Sequence, residues 1–173
     1  MRFFTADTHF YHESIIEYDN RPYKSVEEMN ESLIENWNGV VSNSDIIYHL
    51  GDFCWRPSMA KEILSRLNGD LHLIRGNHDT LNREVLEMFV TVSDIKRIKI
   101  DGTRIYLCHY ALRTWAGNDK GTWCLYGHSH GKLKMGKGNT CDVGSNCWNY
   151  TPVSFETLKN FMKQKGDNHV KGV

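Results

Sequence analysis

Five short clusters of metal-binding residue types stand out in this chain of 173 residues. Each lies next to an apolar run of the strand type, and together they supply seven ligands of the oxygen and imidazole kinds. Such side chains at the ends of buried strands are typical of an assembled metal centre and of hydrolytic chemistry. The clusters are Asp7-Thr8-His9, Gly51-Asp52, Gly76-Asn77-His78-Asp79, Cys108-His109 and Gly127-His128-Ser129-His130.

Two of the clusters have a spacing that suits metal binding. Asp7 and His9 are two residues apart, and so are His128 and His130. In an extended segment both side chains of such a pair point to the same side. Either pair alone is a weak signal, and an aspartate or asparagine after a strand more often makes a turn. The conjunction of five compatible clusters favours the chemical interpretation.

Alternating strand and helix patterns position the first three clusters. Short apolar runs predict strands over residues 2–6, 45–50 and 71–74, each followed by a cluster. Apolar residues at helical spacing predict helices over residues 25–41, 58–68 and 81–89. Ser25 and Glu28 form a capping-box signature at the start of the first of these helices. Ligand sites of parallel strands lie beyond their carboxyl ends, where these clusters stand.

The sequence pattern of the second half of the chain predicts mainly antiparallel strands. Asp101-Gly102 between residues 95–100 and 103–109 is a strong hairpin signal. Further strands are predicted over residues 123–126, 140–143 and 150–153, and a last helix over residues 154–165. We therefore expect an α/β fold with a two-layer β core and outer helices. Residues 1–165 form one domain in this prediction, and residues 166–173 form a polar tail.

Composition and charge restrict the classes of function. Lysine plus arginine and aspartate plus glutamate number 21 each, so no basic excess favours a long nucleic-acid footprint. The five cysteines are scattered and odd in number, which is typical of reduced thiols. No apolar stretch approaches the ~18 residues of a membrane span, and the first residues do not form a signal segment. We expect a cytoplasmic protein that does not contact membranes.

The clusters resemble the motifs of the calcineurin-like metallophosphoesterase superfamily, in that family's order. The resemblance covers residues 7 to 130 and comprises D-x-H, G-D, G-N-H-D, a lone histidine after a strand, and G-H-x-H. Within the superfamily the chain is most similar to the small single-domain phosphoesterases of bacteria and phages. The residues that carry this closer similarity are Asp7-Thr8-His9-Phe10-Tyr11-His12, Asn20-Arg21-Pro22 and His49-Leu50-Gly51-Asp52-Phe53.

The resemblance implies a fold and a metal site. The fold would be a four-layer αββα sandwich of two mixed β-sheets flanked by helices. The implied ligands of one divalent ion are Asp7, His9, Asp52 and His130. Those of a second ion are Asp52, Asn77, His109 and His128, with the Asp52 carboxylate bridging. Ions ~3.5–4 Å apart would generate a bridging hydroxide that attacks phosphorus in line.

The resemblance also gives His78 and Asp52 catalytic roles. His78 occupies the family position that meets the phosphate or leaving oxygen, where a proton or hydrogen-bond donor is worth ~10²–10⁴-fold in rate. In the protein phosphatases of the superfamily an aspartate partners this histidine, and Trp55 stands at that place here. Further candidates for contacting substrate or orienting the ligands are Arg56, His12 and Asp79.

Mixed carboxylate, amide and imidazole ligands suit Mn²⁺, Fe, Zn, Ni or Co better than Mg²⁺. Family members commonly use Mn²⁺, which is therefore the first expectation. The predicted function is metal-dependent hydrolysis of a small phosphoester, with a phosphodiester preferred. Two alternatives stay open: a nuclease or nucleotide-end processing enzyme with the same site, and a non-catalytic metal-binding scaffold. A monomer or a small homo-oligomer is expected.

Overall fold

A computed structural model describes residues 1–133 and 138–170, the last five of these by their backbone alone. The strands are β1 Arg2–Thr5, β2 Ile46–His49, β3 Asp70–Ile74, β4 Thr91–Ser93, β5 Ile95–Ile100, β6 Thr103–Cys108, β7 Trp123–Tyr126, β8 Thr140–Asp142 and β9 Val153–Ser154. The α-helices are α1 Ser14–Tyr18, α2 Val26–Val40, α3 Ala60–Arg66, α4 Arg83–Leu86 and α5 Phe155–Val170. Short 3₁₀ turns cover Pro57–Met59, Asn118–Lys120 and Ser145–Trp148.

The strands form two mixed sheets. The first has the order β4-β3-β2-β1-β9 and the second the order β5-β6-β7-β8. Strands β1 to β4 run parallel to one another, and β9 runs antiparallel to β1. The predicted α/β class, with two mixed sheets and helices, is therefore confirmed.

The prediction of a mainly antiparallel second half was wrong. Only the β5–β6 hairpin is antiparallel in the second sheet, since β6, β7 and β8 pair in parallel. The connections over residues 109–122 and 127–139 are long enough to return the chain to the same end of the sheet, as parallel pairing requires. The hairpin itself is as predicted: Asp101 and Gly102 both have left-handed φ angles, 45° and 83°.

Two apolar clusters lie on the two faces of the first sheet. One packs it against helices, and the other packs it against the second sheet. Alternate residues of a strand point to opposite faces, so Phe3 and Phe4 enter different clusters. Phe3 packs with Leu33 and Trp37 of α2 on one face. On the other face the cluster includes residues on or just after strands of both sheets and residues at the start of α5: Phe4, Leu50, Leu107, Leu125, Phe155 and Leu158. Burial on both faces makes the strand ends rigid supports.

Most of the helix predictions agree with the structure. Ser25 Oγ accepts from the Glu28 amide at 3.2 Å, while the Glu28 carboxylate accepts from the Lys24 amide at 2.8 Å. The last helix continues to Val170, beyond its predicted end at residue 165. Strand 150–153 is reduced to Val153–Ser154, because Asn149 and Tyr150 take left-handed φ angles of 51° and 57°. Within the described ranges, no helix has both the length and the apolar character of a membrane span.

Candidate metal centre

The first ligand group consists of Asp7, His9 and His130. Asp7 and His9 follow β1, and His130 follows β7, so two sheets meet here. One ligand atom from each residue lies within 4.8 Å of the other two. The His130 Nε2 atom is 3.3 Å from His9 Nε2 and 3.9 Å from Asp7 Oδ1. These three side chains converge closely enough to hold one cation.

The second ligand group consists of Asp52, His109 and His128, and one ligand atom from each lies within 4.8 Å of the other two. Asn77 adds its side-chain oxygen, which lies 3.2 Å from His109 Nε2. His109 Nδ1 lies 2.7 Å from the Leu50 carbonyl oxygen. A carbonyl can only accept, so Nδ1 carries the proton and the Nε2 lone pair of the neutral ring faces Asn77.

Asp52 lies between the two groups. Its Oδ2 atom is 3.6 Å from His9 Nε2 and 3.5 Å from His109 Nε2. Its other oxygen, Oδ1, accepts a hydrogen bond from the His78 amide at 3.0 Å, which fixes the carboxylate plane. The structure thus brings the seven predicted ligand residues to one edge of the sheets, with one carboxylate oxygen shared between the groups.

Backbone conformation at this edge is unusual. Five of the candidate ligand residues have left-handed φ angles between 48° and 65°: Asp7, His9, Asp52, His128 and His130. Such angles are uncommon for residues other than glycine, and they cluster at functional sites where the surroundings enforce them. Gly51 allows the close approach of two loops, because a Cβ there would lie 2.5 Å from the Gly76 nitrogen. The backbone at this edge of the sheets therefore takes uncommon conformations at the residues whose side chains form the two ligand groups.

Buried polar side chains hold these loops in place. Arg21 donates to the carbonyl oxygens of Asp7 and Thr8, both at 2.8 Å. Asp79 accepts from the amides of Gly76, Asp52 and Phe53 at 2.7, 2.9 and 2.8 Å. Asp79 thus orients the Asp52 loop rather than facing the ligand groups. Arg21 was quoted in the sequence motifs, but its positioning role was not predicted.

Two further carboxylates were missed by the sequence analysis. Asp19 accepts a hydrogen bond from His130 Nδ1 and binds the Lys132 ammonium at 2.7 Å. Asp142 accepts from Ser129 Oγ at 2.6 Å and so ties down the loop that carries the last two histidines. The one available signal for Asp19 was its place just before the quoted Asn20-Arg21-Pro22 segment.

Burial disturbs the ionisation of the ligand groups. It raises the pKa of Asp7 well above its usual range, although hydrogen bonds from the His128 amide oppose this. Burial, with the nearby Arg21 charge, lowers the pKa of His9. The pKa of His109 is also lowered, mainly by burial, and burial lowers the pKa of His12 to about 4. The neutral imidazoles of His9 and His109 therefore face the same space as the Asp7 carboxylate, whose negative charge burial disfavours.

This donor set fits divalent metal ions. The protons on Nδ1 of His130 and His109 are directed to Asp19 and the Leu50 carbonyl, so each Nε2 offers a lone pair to the centre. A divalent cation would satisfy these lone pairs and favour ionised Asp7. Imidazole together with carboxylate and amide oxygen suits Mn²⁺, Fe, Co, Ni or Zn.

A cleft of about 360 Å³ opens beside the two groups. His78 lines it, with its ring 5.8 Å from the His9 ring and 4.8 Å from the Trp55 ring. His12 lies flat against Trp55, with ring centroids 3.8 Å apart, and its Nδ1 is 3.3 Å from His9 Nδ1. Arg56 is exposed and, among the described residues, does not line this cleft. Its predicted contact with substrate stays a prediction.

Comparison with known proteins gives one family and several relatives. A family model described as the calcineurin-like phosphoesterase superfamily domain matches residues 3–152. An uncharacterized protein of Methanocaldococcus jannaschii is 35% identical over 168 residues, which cover 92% of this chain and 89% of that protein.

Two solved structures are similar in fold. A protein of unknown function from Aquifex aeolicus superposes with a TM-score of 0.75 at 26% identity, covering 93% of this chain and 98% of its own. A novel archaeal phosphodiesterase superposes with a TM-score of 0.50 at 18% identity, covering 83% of this chain and 81% of its own. At that identity the likeness concerns the fold alone.

Proposed function

The chain belongs to the calcineurin-like phosphoesterase superfamily, and we propose that it is a phosphodiesterase that uses two divalent metal ions. The observation that carries the proposal is the position of Asp52, whose Oδ2 lies 3.6 Å from a nitrogen of one ligand group and 3.5 Å from a nitrogen of the other. A carboxylate so placed can serve two ions at once.

The seven side chains would divide between the ions as two overlapping sets. Asp7, His9, Asp52 and His130 would hold one ion, and Asp52, Asn77, His109 and His128 the other. When bound, the ions would supply hydroxide for in-line attack on phosphorus and would neutralise charge on the phosphoryl oxygens. Mn²⁺ is the first expectation, with Fe, Zn, Ni or Co as alternatives.

His78 would act on the leaving group. Its ring lies in the cleft beside His9, while its backbone amide orients Asp52. Among the described residues no carboxylate accepts a hydrogen bond from the His78 ring, whose close neighbours are Trp55 and His9. The ring can therefore donate a hydrogen bond or a proton to the departing oxygen, without a carboxylate partner to orient it.

The charges of the cleft favour a phosphodiester over a phosphomonoester. Apart from the two proposed ions, Lys132 is the one lysine or arginine among the described lining residues, and the Asp19 carboxylate already binds it. A monoester carries about two negative charges near neutral pH and would need more cationic contacts than a diester with one. The same centre could cut a short nucleic-acid end, so oligonucleotides belong in the test.

The test compares wild type with Asp52→Ala, His78→Ala and the control His72→Ala on aryl phosphodiesters and monoesters with added Mn²⁺. His72 lies on β3 and bonds Thr91 Oγ1 at 2.8 Å, outside the cleft. We expect Asp52→Ala to lose bound metal and activity together. We expect His78→Ala to keep metal but lose ~10²–10⁴-fold in rate, most for poor leaving groups.

Equal activity in all four proteins would refute the mechanism. A wild-type protein that binds no metal and cleaves neither ester nor a short oligonucleotide would favour the non-catalytic scaffold instead. A higher kcat/KM for the monoester than for the diester would contradict the preference for diesters while leaving the metal centre intact.

A further inference from the structure

A second cleft, of about 590 Å³, lies on the outer side of the β5–β6 hairpin. Arg97, Lys99, Arg104 and Tyr106 line it from the hairpin, and the segment 116–122 closes it from the other side. Ile98 and Ile105 also border the cleft, although Ile105 is buried and belongs with Ile100 to the apolar cluster between the sheets. Among the described residues, this cleft shares no lining side chain with the one beside the metal centre.

The cleft concentrates positive charge that has no acidic partner. Its charged lining residues are the four cations Arg97, Lys99, Arg104 and Lys120. In the described part of the chain, none of these four takes part in a salt bridge. Several exposed cations elsewhere are paired, as in Arg66–Glu31 at 2.5 Å and Arg75–Asp94 at 2.9 Å. The chain as a whole has equal numbers of acidic and basic residues.

The strand register makes this arrangement unfavourable on its own. Lys99 stands directly opposite Arg104, and Arg97 stands opposite Tyr106. Like charges directly opposite each other on an antiparallel pair destabilise the sheet. The Arg97 guanidinium lies 5.8 Å from the Tyr106 ring centroid, so one cation is held over an aromatic face. A local conflict of this kind, without compensation inside the protein, is typical of a binding site.

We propose that this cleft binds a small anion with two or more linked phosphate groups. Two arginines supply planar donor forks that match phosphate oxygens, and two lysines add point charges. The volume of about 590 Å³ lies within the ~300–1,000 Å³ typical of small-ligand sites. Four cations in a chain of zero net charge are too few for a nucleic-acid track, which argues for a compact ligand.

The site is independent of the proposed phosphodiesterase activity. Tyr106 on β6 precedes His109 by three residues, about 10 Å along extended chain, and Arg104 lies two residues farther back. Among the described residues, neither ligand group contributes a side chain to the lining of this cleft. A ligand in this cleft would therefore contact neither ligand group directly. Its binding can be measured whether or not the metal centre is catalytic.

The test titrates inorganic tripolyphosphate and ADP into the full chain by calorimetry in buffer without added divalent metal, because both probes chelate Mn²⁺. The variant is Lys99→Ala/Arg104→Ala, and the charge-matched control is Lys61→Ala/Arg83→Ala, whose side chains are exposed on α3 and α4. We expect a loss of affinity of about tenfold or more in the cleft variant alone. The same binding should persist in Asp52→Ala, which separates the cleft from the metal centre, and should weaken as salt is raised.

Binding of both probes would identify the phosphate chain as the recognised group, and binding of ADP alone would point to a nucleoside polyphosphate. Equal affinities in the cleft variant and its control would overturn the proposal. So would cleft-dependent binding of a single-stranded oligonucleotide by a protein that binds neither small probe, since the occupant would then be a nucleic acid.

Discussion

The Asp19 carboxylate accepts a hydrogen bond from Nδ1 of His130, and the opposite ring nitrogen faces His9 at 3.3 Å. A carboxylate on the far nitrogen of a metal-binding histidine fixes the orientation and tautomer of the ring. The Lys132 ammonium, 2.7 Å from the other oxygen of Asp19, helps to keep the carboxylate ionised. Although burial opposes it, the hydrogen bonds from Lys132 and His130 leave the pKa of Asp19 below its usual value.

We predict that Asp19→Asn weakens Mn²⁺ binding ~10–100-fold, because the amide no longer fixes the His130 tautomer. Metal affinity is measured by competition with a chelating dye, so the result does not depend on turnover. Glu17→Gln, an exposed carboxylate on α1, is the matched control. Unchanged affinity in Asp19→Asn would show that His130 needs no such partner.

The buried ring of His49 makes the stability of the folded protein depend on pH. Its Nδ1 accepts from the Gly51 amide at 3.2 Å and its Nε2 is 3.0 Å from Thr8 Oγ1, so the folded state needs a neutral ring. Burial lowers the pKa of His49 to about 3. The unfolded chain takes up this proton near pH ~6.5, so stability is lost as pH falls below ~6.5 towards the folded-state value.

We therefore expect His49→Gln to reduce the loss of stability between about pH 7.5 and about pH 5 by about 2 kcal/mol relative to wild type. The free energy of unfolding is measured by urea titration of metal-free protein at both pH values. The variant will be less stable than wild type at neutral pH, but the readout is the change with pH. An identical change in both proteins would mean that His49 is protonated in the folded state.

The surroundings of Gly51 predict that adding a single methyl group there lowers the stability of the protein strongly. Its φ angle is 94°, and a Cβ would lie 2.5 Å from the Gly76 nitrogen and 2.6 Å from His109 Nδ1. We expect Gly51→Ala to destabilise the protein by about 2–5 kcal/mol, from backbone strain and overpacking together.

Gly121→Ala is the matched control for Gly51→Ala. Gly121 has a φ angle of 76° but no atom near its virtual Cβ within 4 Å. It should therefore show backbone strain alone, of about 1–2 kcal/mol. Equal losses of unfolding free energy in urea would contradict the close approach of the Gly51 and Gly76 loops.

Metal removal should destabilise the protein. A ligand present at 100 times its Kd adds about 2.7 kcal/mol to the free energy of unfolding. We expect Mn²⁺ to raise the midpoint of thermal unfolding and a chelator to reverse the rise. Asp52→Ala, which removes the carboxylate between the two ligand groups, should show little response to either addition. An equal response in this variant would place the stabilising ion elsewhere.

The local parts of the fold were readable from sequence. Apolar runs that end at Asp7, Asp52 and Asn77 predict parallel strands with their carboxyl ends at one edge, and the structure has this arrangement. The Asp101-Gly102 turn was likewise set by its own two residues. Such features depend on neighbours within a few positions, which a single sequence displays directly.

The supporting contacts were not readable, because their partners are far apart in the chain. Asp19 and His130 are 111 positions apart, and Arg21 and Asn146 are 125 apart. The parallel pairing of β6 with β7 also depends on how the connection 109–122 crosses the sheet, which periodicity does not show. Helix α1 is five residues long and was missed, since one turn carries too little periodicity.

The histidines that follow β6 and β7 stand at the ends of rigid strands, and each opens a long connection, over residues 109–122 and 127–139. Insertions and substitutions in such connections are tolerated far better than changes in the strands themselves. Descendants of this chain could therefore acquire new substrates by changes elsewhere in these two connections while inheriting the three histidines intact.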